Sequence, residues 1–214
     1  GSMPQGSFLG PLVFIILIDD LFDECLIHKF VDDTTLTEFI KHNEPSKMVT
    51  YINQLLLWSR TNLMNINWKK TKELLIGPML KHSIPQLLIG DNTVERVNVF
   101  KLLGVNIDDK LKWNSHINIV CSKASARLYF FKQLKRSGVS ADDLVHFYVT
   151  VIRSVLEYAC PAWHTSLAVD SANQIESIQK RAVNIIYNNC NYRDVCVRGL
   201  ICRLCLIDVK NFVG

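Results

Sequence analysis

Two adjacent carboxylates, Asp32 and Asp33, stand between a Lys-Phe-Val run and a Thr-Thr-Leu run in residues 28–36, and no other stretch restricts the fold as much. The β-branched and aromatic residues on both sides predict strand, tight turn, strand, with the acids at the tip. Neighbouring acids repel, so both stay ionised only beside a cation or a basic group such as Lys29. Carboxylates held this way make a hard oxygen site suited to Mg²⁺ or Mn²⁺. A solvated acidic turn has the same local sequence, so the surrounding stretches have to decide.

The charge pattern adds to this. Residues 1–44 carry two basic residues against eight acids, whereas residues 110–190 carry ten basic residues against five acids. An acidic end followed by a basic end suits a chain that grips a polyanion, although scattered solvated charges give the same count. A length of 214 residues fits one large domain or two small ones, and 49% apolar content is ordinary for a globular core. The seven cysteines form no compact even framework and read as reduced and intracellular. The longest apolar stretch, residues 8–18, is broken by Gly10-Pro11 and is too short for a bilayer, so no membrane partner is expected. No basic segment precedes it, which argues against a signal peptide.

In chain order, Pro4-Gln5-Gly6-Ser7 reads as a turn with a permissive Gly6, followed by an apolar run that can be helix or buried strand. Asn43-Glu44-Pro45-Ser46 predicts a helix start, with Met48, Ile52, Leu55 and Leu56 on one face, packed on a sheet. Residues 63–67 read as extended, and Leu74-Leu75-Ile76-Gly77 as an apolar strand. Residues 85–94 predict a hairpin turning at Gly90-Asp91-Asn92. By period two, Val97, Val99, Lys101, Leu103, Val105 and Ile107 share one side, with Phe100 and Leu102 on the other.

Beyond Asp109 the period becomes helical. Ser115 is the expected cap of a helix running to Arg136 and stopped by Gly138, with Ala124, Leu128 and Phe131 inward. Ser140-Ala141-Asp142-Asp143 resembles a capping box with Asp in place of Glu. The stripe Leu144, Phe147, Tyr148, Val151, Ile152, Val155, Leu156 predicts a second helix ended by Pro161. Ser171-x-x-Gln174 is the expected opening of a third, with Ile175, Ile178, Ala182 and Ile185 inward. Three such helices make a small bundle. The tail loses period, and Cys202-x-x-Cys205 is too weak a pattern for a zinc site.

Four motifs now stand in order: Met3-Pro4-Gln5-Gly6-Ser7, Phe30-Val31-Asp32-Asp33, Asn67-Trp68-Lys69-Lys70-Thr71 and Leu103-Gly104-Val105. Together they resemble the reverse transcriptases of non-LTR, LINE-type (jockey-like) retrotransposons, over roughly residues 1–192. The resemblance implies an α+β fold: a partial polymerase palm, an antiparallel sheet with packed helices over residues 1–109. A helical thumb over 110–190 and a degenerate or frayed tail over 191–214 would follow. It implies RNA-directed DNA polymerase chemistry with Mg²⁺ or Mn²⁺ on Asp32 and Asp33, and Lys70 near the triphosphate. Pro4, Gln5, Gly6 and Ser7 would face template and incoming deoxynucleoside triphosphate. Phe100, Leu102, Leu103 and Gly104 would grip the primer end. Lys123, Arg127, Lys132, Lys135 and Arg136 would hold the RNA–DNA hybrid of template and primer.

Family members draw a third metal-binding aspartate from a strand before the Pro-Gln-Gly-Ser turn, and this sequence opens at that turn. Asp19 and Asp20 follow the turn and do not replace it. The expectation is a fragment with little or no polymerase activity alone, lacking N-terminal fingers and part of the palm. The other expectations are a non-catalytic remnant that binds nucleic acid or a partner, and a poorly folding pseudogene product.

Overall fold

A computed structural model describes residues 16, 18–19, 25–31, 33–41, 44–77 and 84–188. The turn at Pro4, Gln5, Gly6 and Ser7, the acid Asp32, and the tail cysteines from Cys190 onward lie outside the described residues. The fold is α+β, and it divides into two compact units, residues 1–97 and 98–214.

In the first unit, β1 (Leu26–Phe30) and β2 (Asp33–Thr37) form the expected antiparallel hairpin, with Phe30 opposite Asp33 and Leu26 opposite Thr37. Helix α1 (Met48–Thr61) starts two residues after Ser46, whose hydroxyl accepts the Met48 N–H at 3.2 Å and donates to Glu38 at 2.7 Å. Three residues of the expected inward stripe, Met48, Ile52 and Leu56, lie in this unit's core. Ile52 is buried with Leu87, Ile89 and Val94, and Met48, Leu56, Leu36 and Ile66 pack around them.

Strand β3 (Lys72–Leu74) pairs in parallel with β6 (Glu95–Val97), and β4 (Leu88–Ile89) turns through Gly90-Asp91 into β5 (Asn92–Thr93). The expected strand at residues 74–77 instead begins at Lys72 and stops at Leu74. Pairing decided its place: Glu73 sits opposite Arg96, and the two side chains meet at 2.6 Å with Glu73 buried. Arg96 also donates to the Ile84 and Pro85 carbonyls at 3.2 and 3.1 Å. Residues 63–67, expected to be extended, follow α1 as a turn and an irregular segment. The described strands form four separate two-stranded ladders, three antiparallel and one parallel.

The second unit opens on β7 (Val99–Leu102) and β8 (Val105–Asp108). The period-two reading ran straight through residues 97–107, but Leu103 (φ 44°) and Gly104 (φ 89°) reverse the chain. Two positive-φ residues between paired strands are the signature of a type I′ hairpin turn. Phe100 therefore lies opposite Ile107 and Leu102 opposite Val105, so these four share a face; Val99 and Lys101 belong to the other.

Helix α2 (Asn114–Arg136) starts one residue before Ser115, with Trp113 at the cap position and no side-chain cap bond. Helix α3 (Ala141–Phe147) has the expected Ser140 cap: its hydroxyl accepts the Asp143 N–H at 3.2 Å and donates to the Asp143 carboxylate at 2.7 Å. The stripe continues through a π-helical segment, Tyr148–Arg153, and a last turn, α4 (Ser154–Leu156). The break comes at Ala159 (φ 53°), before Pro161, which sits in the first turn of α5 (Cys160–Trp163). Proline lacks only an N–H that a first helical turn leaves unpaired, so it opens this helix and does not close the previous one.

After a 3₁₀ turn, His164–Ser166, α6 (Val169–Tyr187) begins two residues before Ser171. Ser171 is buried and bonds the Asn114 side chain at 3.1 Å, tying the starts of α6 and α2. The core joins Ala124, Leu128 and Phe131 with Leu144, Tyr148, Ile152 and Leu156, and with Ile178, Ala182, Val183 and Ile186. The three-helix bundle expected from the apolar stripes is present. No helix among the described residues is long and apolar enough to cross a membrane.

Candidate nucleic-acid and metal site

The acidic hairpin comes first. Phe30 pairs with Asp33, so the loop between the strands is two residues long, Val31 and Asp32. Val31 holds φ 52°, a left-handed conformation that β-branched residues rarely adopt. Asp33 is exposed at the first position of β2. An exposed carboxylate is an oxygen donor of the kind a hard divalent cation takes. Lys29 donates to the Ile18 carbonyl at 2.6 Å and to that of Asp19 at 3.4 Å. Among the described residues no group of three or more His, Cys, Asp or Glu is placed to hold a metal ion.

Lys70 is exposed in a tight turn organised by Asn67. The Asn67 carbonyl accepts the N–H groups of Lys70 (3.1 Å) and Thr71 (3.0 Å) and the Thr71 hydroxyl (3.0 Å), while its side-chain oxygen reaches the Lys70 N–H at 3.3 Å. Spacing in the Asn-x-x-Lys-Thr motif thus has a local cause: Asn and Thr close the turn on which Lys70 stands. Its neighbours are engaged, with Lys69 over the Trp68 ring at 5.5 Å and Lys72 paired with Glu95. A depression of about 540 Å³ between α1 and the β4–β5 turn is lined by Asn53, Leu57, Arg60 and Gly90 among others, and holds none of the expected site residues.

In the second unit the expected primer-gripping residues form the β7–β8 hairpin and its turn. Phe100 and Leu102 are half-buried, Leu103 and Gly104 are exposed. Val105 packs with Trp113, Ile117 and Trp163 beneath. His116 lies buried between the two tryptophan rings, at centroid distances of 6.4 and 5.8 Å, and its Nδ1 accepts the Asn106 N–H at 3.3 Å. Burial, then the charge of Lys123, pushes the His116 pKa below its usual value. The neutral ring is therefore the form that fits.

Basic residues of α2 divide into two sets. Lys123, Lys132 and Arg136 are exposed. Arg127 instead donates to the Val151 carbonyl in the π-helical segment, and Lys135 donates to the Ile186 carbonyl near the end of α6 at 2.9 Å. A cation suits that last turn, where helix carbonyls are unpaired. Tyr158 and His116 escaped sequence reasoning. Both touch the hairpin from more than nine residues away, and the only local signal was an aromatic residue just past the end of an apolar stripe.

Residues 2–107 match the family model described as reverse transcriptase (RNA-dependent DNA polymerase). The chain is 24% identical over 197 residues to the probable RNA-directed DNA polymerase from transposon X-element of Drosophila melanogaster, covering 86% of this chain and 21% of that one. It is 23% identical over 210 residues to the corresponding protein of transposon BS (89% and 22%), and 21% over 199 residues to that of mobile element jockey (86% and 22%), both from the same fly. The chain spans about a fifth of the length of these relatives. No solved structure matches it. Residues 2–107 therefore belong to the reverse transcriptase family, and the chain is akin to the LINE-type enzymes of non-LTR transposons.

Proposed function

We propose that this chain supplies the acidic hairpin and the primer- and duplex-holding surfaces of a non-LTR retrotransposon's RNA-directed DNA polymerase. In this reading residues 1–109 are palm and 110–190 thumb. Asp32 and Asp33 hold Mg²⁺ or Mn²⁺, with Asp32 the direct ligand and Asp33 the supporting one. Such ions, when bound, stabilise the attacking and leaving oxygens of the phosphoryl transfer. Lys70, raised on its Asn67 turn, offsets triphosphate charge or protonates the departing pyrophosphate. Residues Pro4, Gln5, Gly6 and Ser7 contact template and incoming deoxynucleoside triphosphate, and Phe100, Leu102, Leu103 and Gly104 the primer end. Lys123, Lys132 and Arg136 hold hybrid phosphates, while Arg127 and Lys135 brace the bundle that presents them.

The observation that carries the reading is the two-residue acidic hairpin, with Asp33 exposed at its rim, inside the segment that matches the family. Its test is Mn²⁺ binding by the 214-residue chain with an RNA–DNA hybrid and a deoxynucleoside triphosphate present. Replacing Asp32 and Asp33 by Asn should weaken that binding by roughly tenfold or more, since carboxylate ligands suit this ion. Equal Mn²⁺ affinity in the double variant refutes the metal site. Hybrid binding should weaken with salt, and losing one of Lys123, Lys132 or Arg136 should lower the logarithmic salt slope by about one.

A further inference from the structure

The β7–β8 turn is held from 55 residues away in sequence. The Tyr158 hydroxyl donates to the Leu103 carbonyl at 2.7 Å. Its ring lies against Gly104, where an added Cβ would stand 3.0 Å from Cε1, tight enough that the ring would have to shift by a few tenths of an ångström. Tyr158 is itself anchored, since its carbonyl accepts the indole N–H of the buried Trp163 at 3.0 Å. A bond to a partner fixed from behind orients the peptide between Leu103 and Gly104.

Peptide planarity supplies the consequence. The Leu103–Gly104 peptide, like every other among the described residues, is trans, and in a trans peptide the C=O and the following N–H point in opposite directions. With the Leu103 carbonyl drawn toward Tyr158, the Gly104 N–H points away from it. Gly104 is exposed, and its N–H has no acceptor among the described residues. Backbone N–H groups are common donors to nucleic-acid phosphates and position a strand without reading its sequence.

We propose that Tyr158 is a positioning residue: by holding the Leu103 carbonyl it aims the Gly104 N–H at a phosphate near the 3′ end of the primer strand. This rests on the reading of the β7–β8 turn as the primer-end contact. Glycine is needed at 104 twice over, for its positive φ and for the room the ring occupies.

The test uses the full chain and an RNA template carrying a DNA primer with a recessed 3′ end. The last few primer phosphodiesters are replaced, one at a time, by uncharged methylphosphonates, and affinity is measured by fluorescence anisotropy. The wild-type chain should lose affinity at one of these linkages by roughly ten- to a hundredfold, the range of one hydrogen bond to a charged group. Tyr158→Phe keeps the ring and should melt close to the wild type. It should bind the unmodified primer more weakly by the same factor and lose the sensitivity at that linkage. A merely structural tyrosine would weaken all substrates alike and leave the sensitivity in place, which overturns the inference while sparing the primer-end reading. A wild-type chain indifferent to every linkage overturns the primer-end reading, and the inference with it.

Discussion

Phe131 and Phe130 are neighbours on α2, and the fold assigns them opposite fates. Phe131 is fully buried and its ring stacks on Phe147 with centroids 5.7 Å apart and planes 12° from parallel, while Phe130 is 63% exposed. Truncating a buried phenylalanine costs about 3–5 kcal/mol, the sum of lost transfer energy and the cavity left behind. Loss of the aromatic pair is part of that figure, at about 0.5–1.5 kcal/mol. Phe131→Ala should therefore destabilise residues 98–214 by about 4 kcal/mol, a large share of a typical domain's stability. Phe131→Leu should cost less, about 1–2 kcal/mol, since most of the volume stays. Phe130→Ala should change stability by no more than about 0.5 kcal/mol. Urea unfolding followed by tryptophan fluorescence reads this directly, because Trp113 and Trp163 are buried in the same unit. Equal costs at the two positions, or a larger one at Phe130, would show that the phase of α2 is wrong, and with it the sorting of Lys123, Lys132 and Arg136 to the outside.

Further outcomes are expected elsewhere. Arg96→Ala leaves the buried Glu73 carboxylate without its 2.6 Å partner and should cost about 3 kcal/mol in urea unfolding of residues 1–97, followed through Trp58 and Trp68; a change under 0.5 kcal/mol would mean the pair contributes nothing. His116 has a folded-state pKa below its unfolded value of 6.5, so at pH 7 and above the ring is neutral in both states. As pH falls through 6.5 the unfolded chain takes up the proton first, and stability declines down to the folded pKa. His116→Gln should flatten that part of the pH–stability curve, and an unchanged slope would refute the assignment. Burial raises the Cys121 thiol pKa, so its alkylation by iodoacetamide at pH 8, followed by mass spectrometry, should be slower than that of a free thiol in a short peptide. Gly104→Ala should destabilise the turn by about 1–2 kcal/mol, because both φ and the Tyr158 ring oppose a methyl group; an unchanged melting temperature contradicts this.

What could be read directly was local. The acidic hairpin, the α1 stripe, the Ser140 cap and the three inward faces of the bundle follow from period and capping chemistry, which act within a few residues. The order of four short motifs carried the family as well, and in one of them Asn67 and Thr71 close the turn on which Lys70 stands. Tertiary structure decided the rest. The partner strand Glu95–Val97 set where β3 stops. The Leu103–Gly104 reversal lacks the usual Asn-Gly signal and is secured by a hydroxyl 55 residues later in the chain. Arg127 and Lys135 read as free charges in a basic run until the carbonyls of Val151 and Ile186, brought near only by packing, accepted their hydrogen bonds. Residue type and spacing foretell what a segment does to itself; which donor meets which carbonyl across the bundle depends on how separate segments pack.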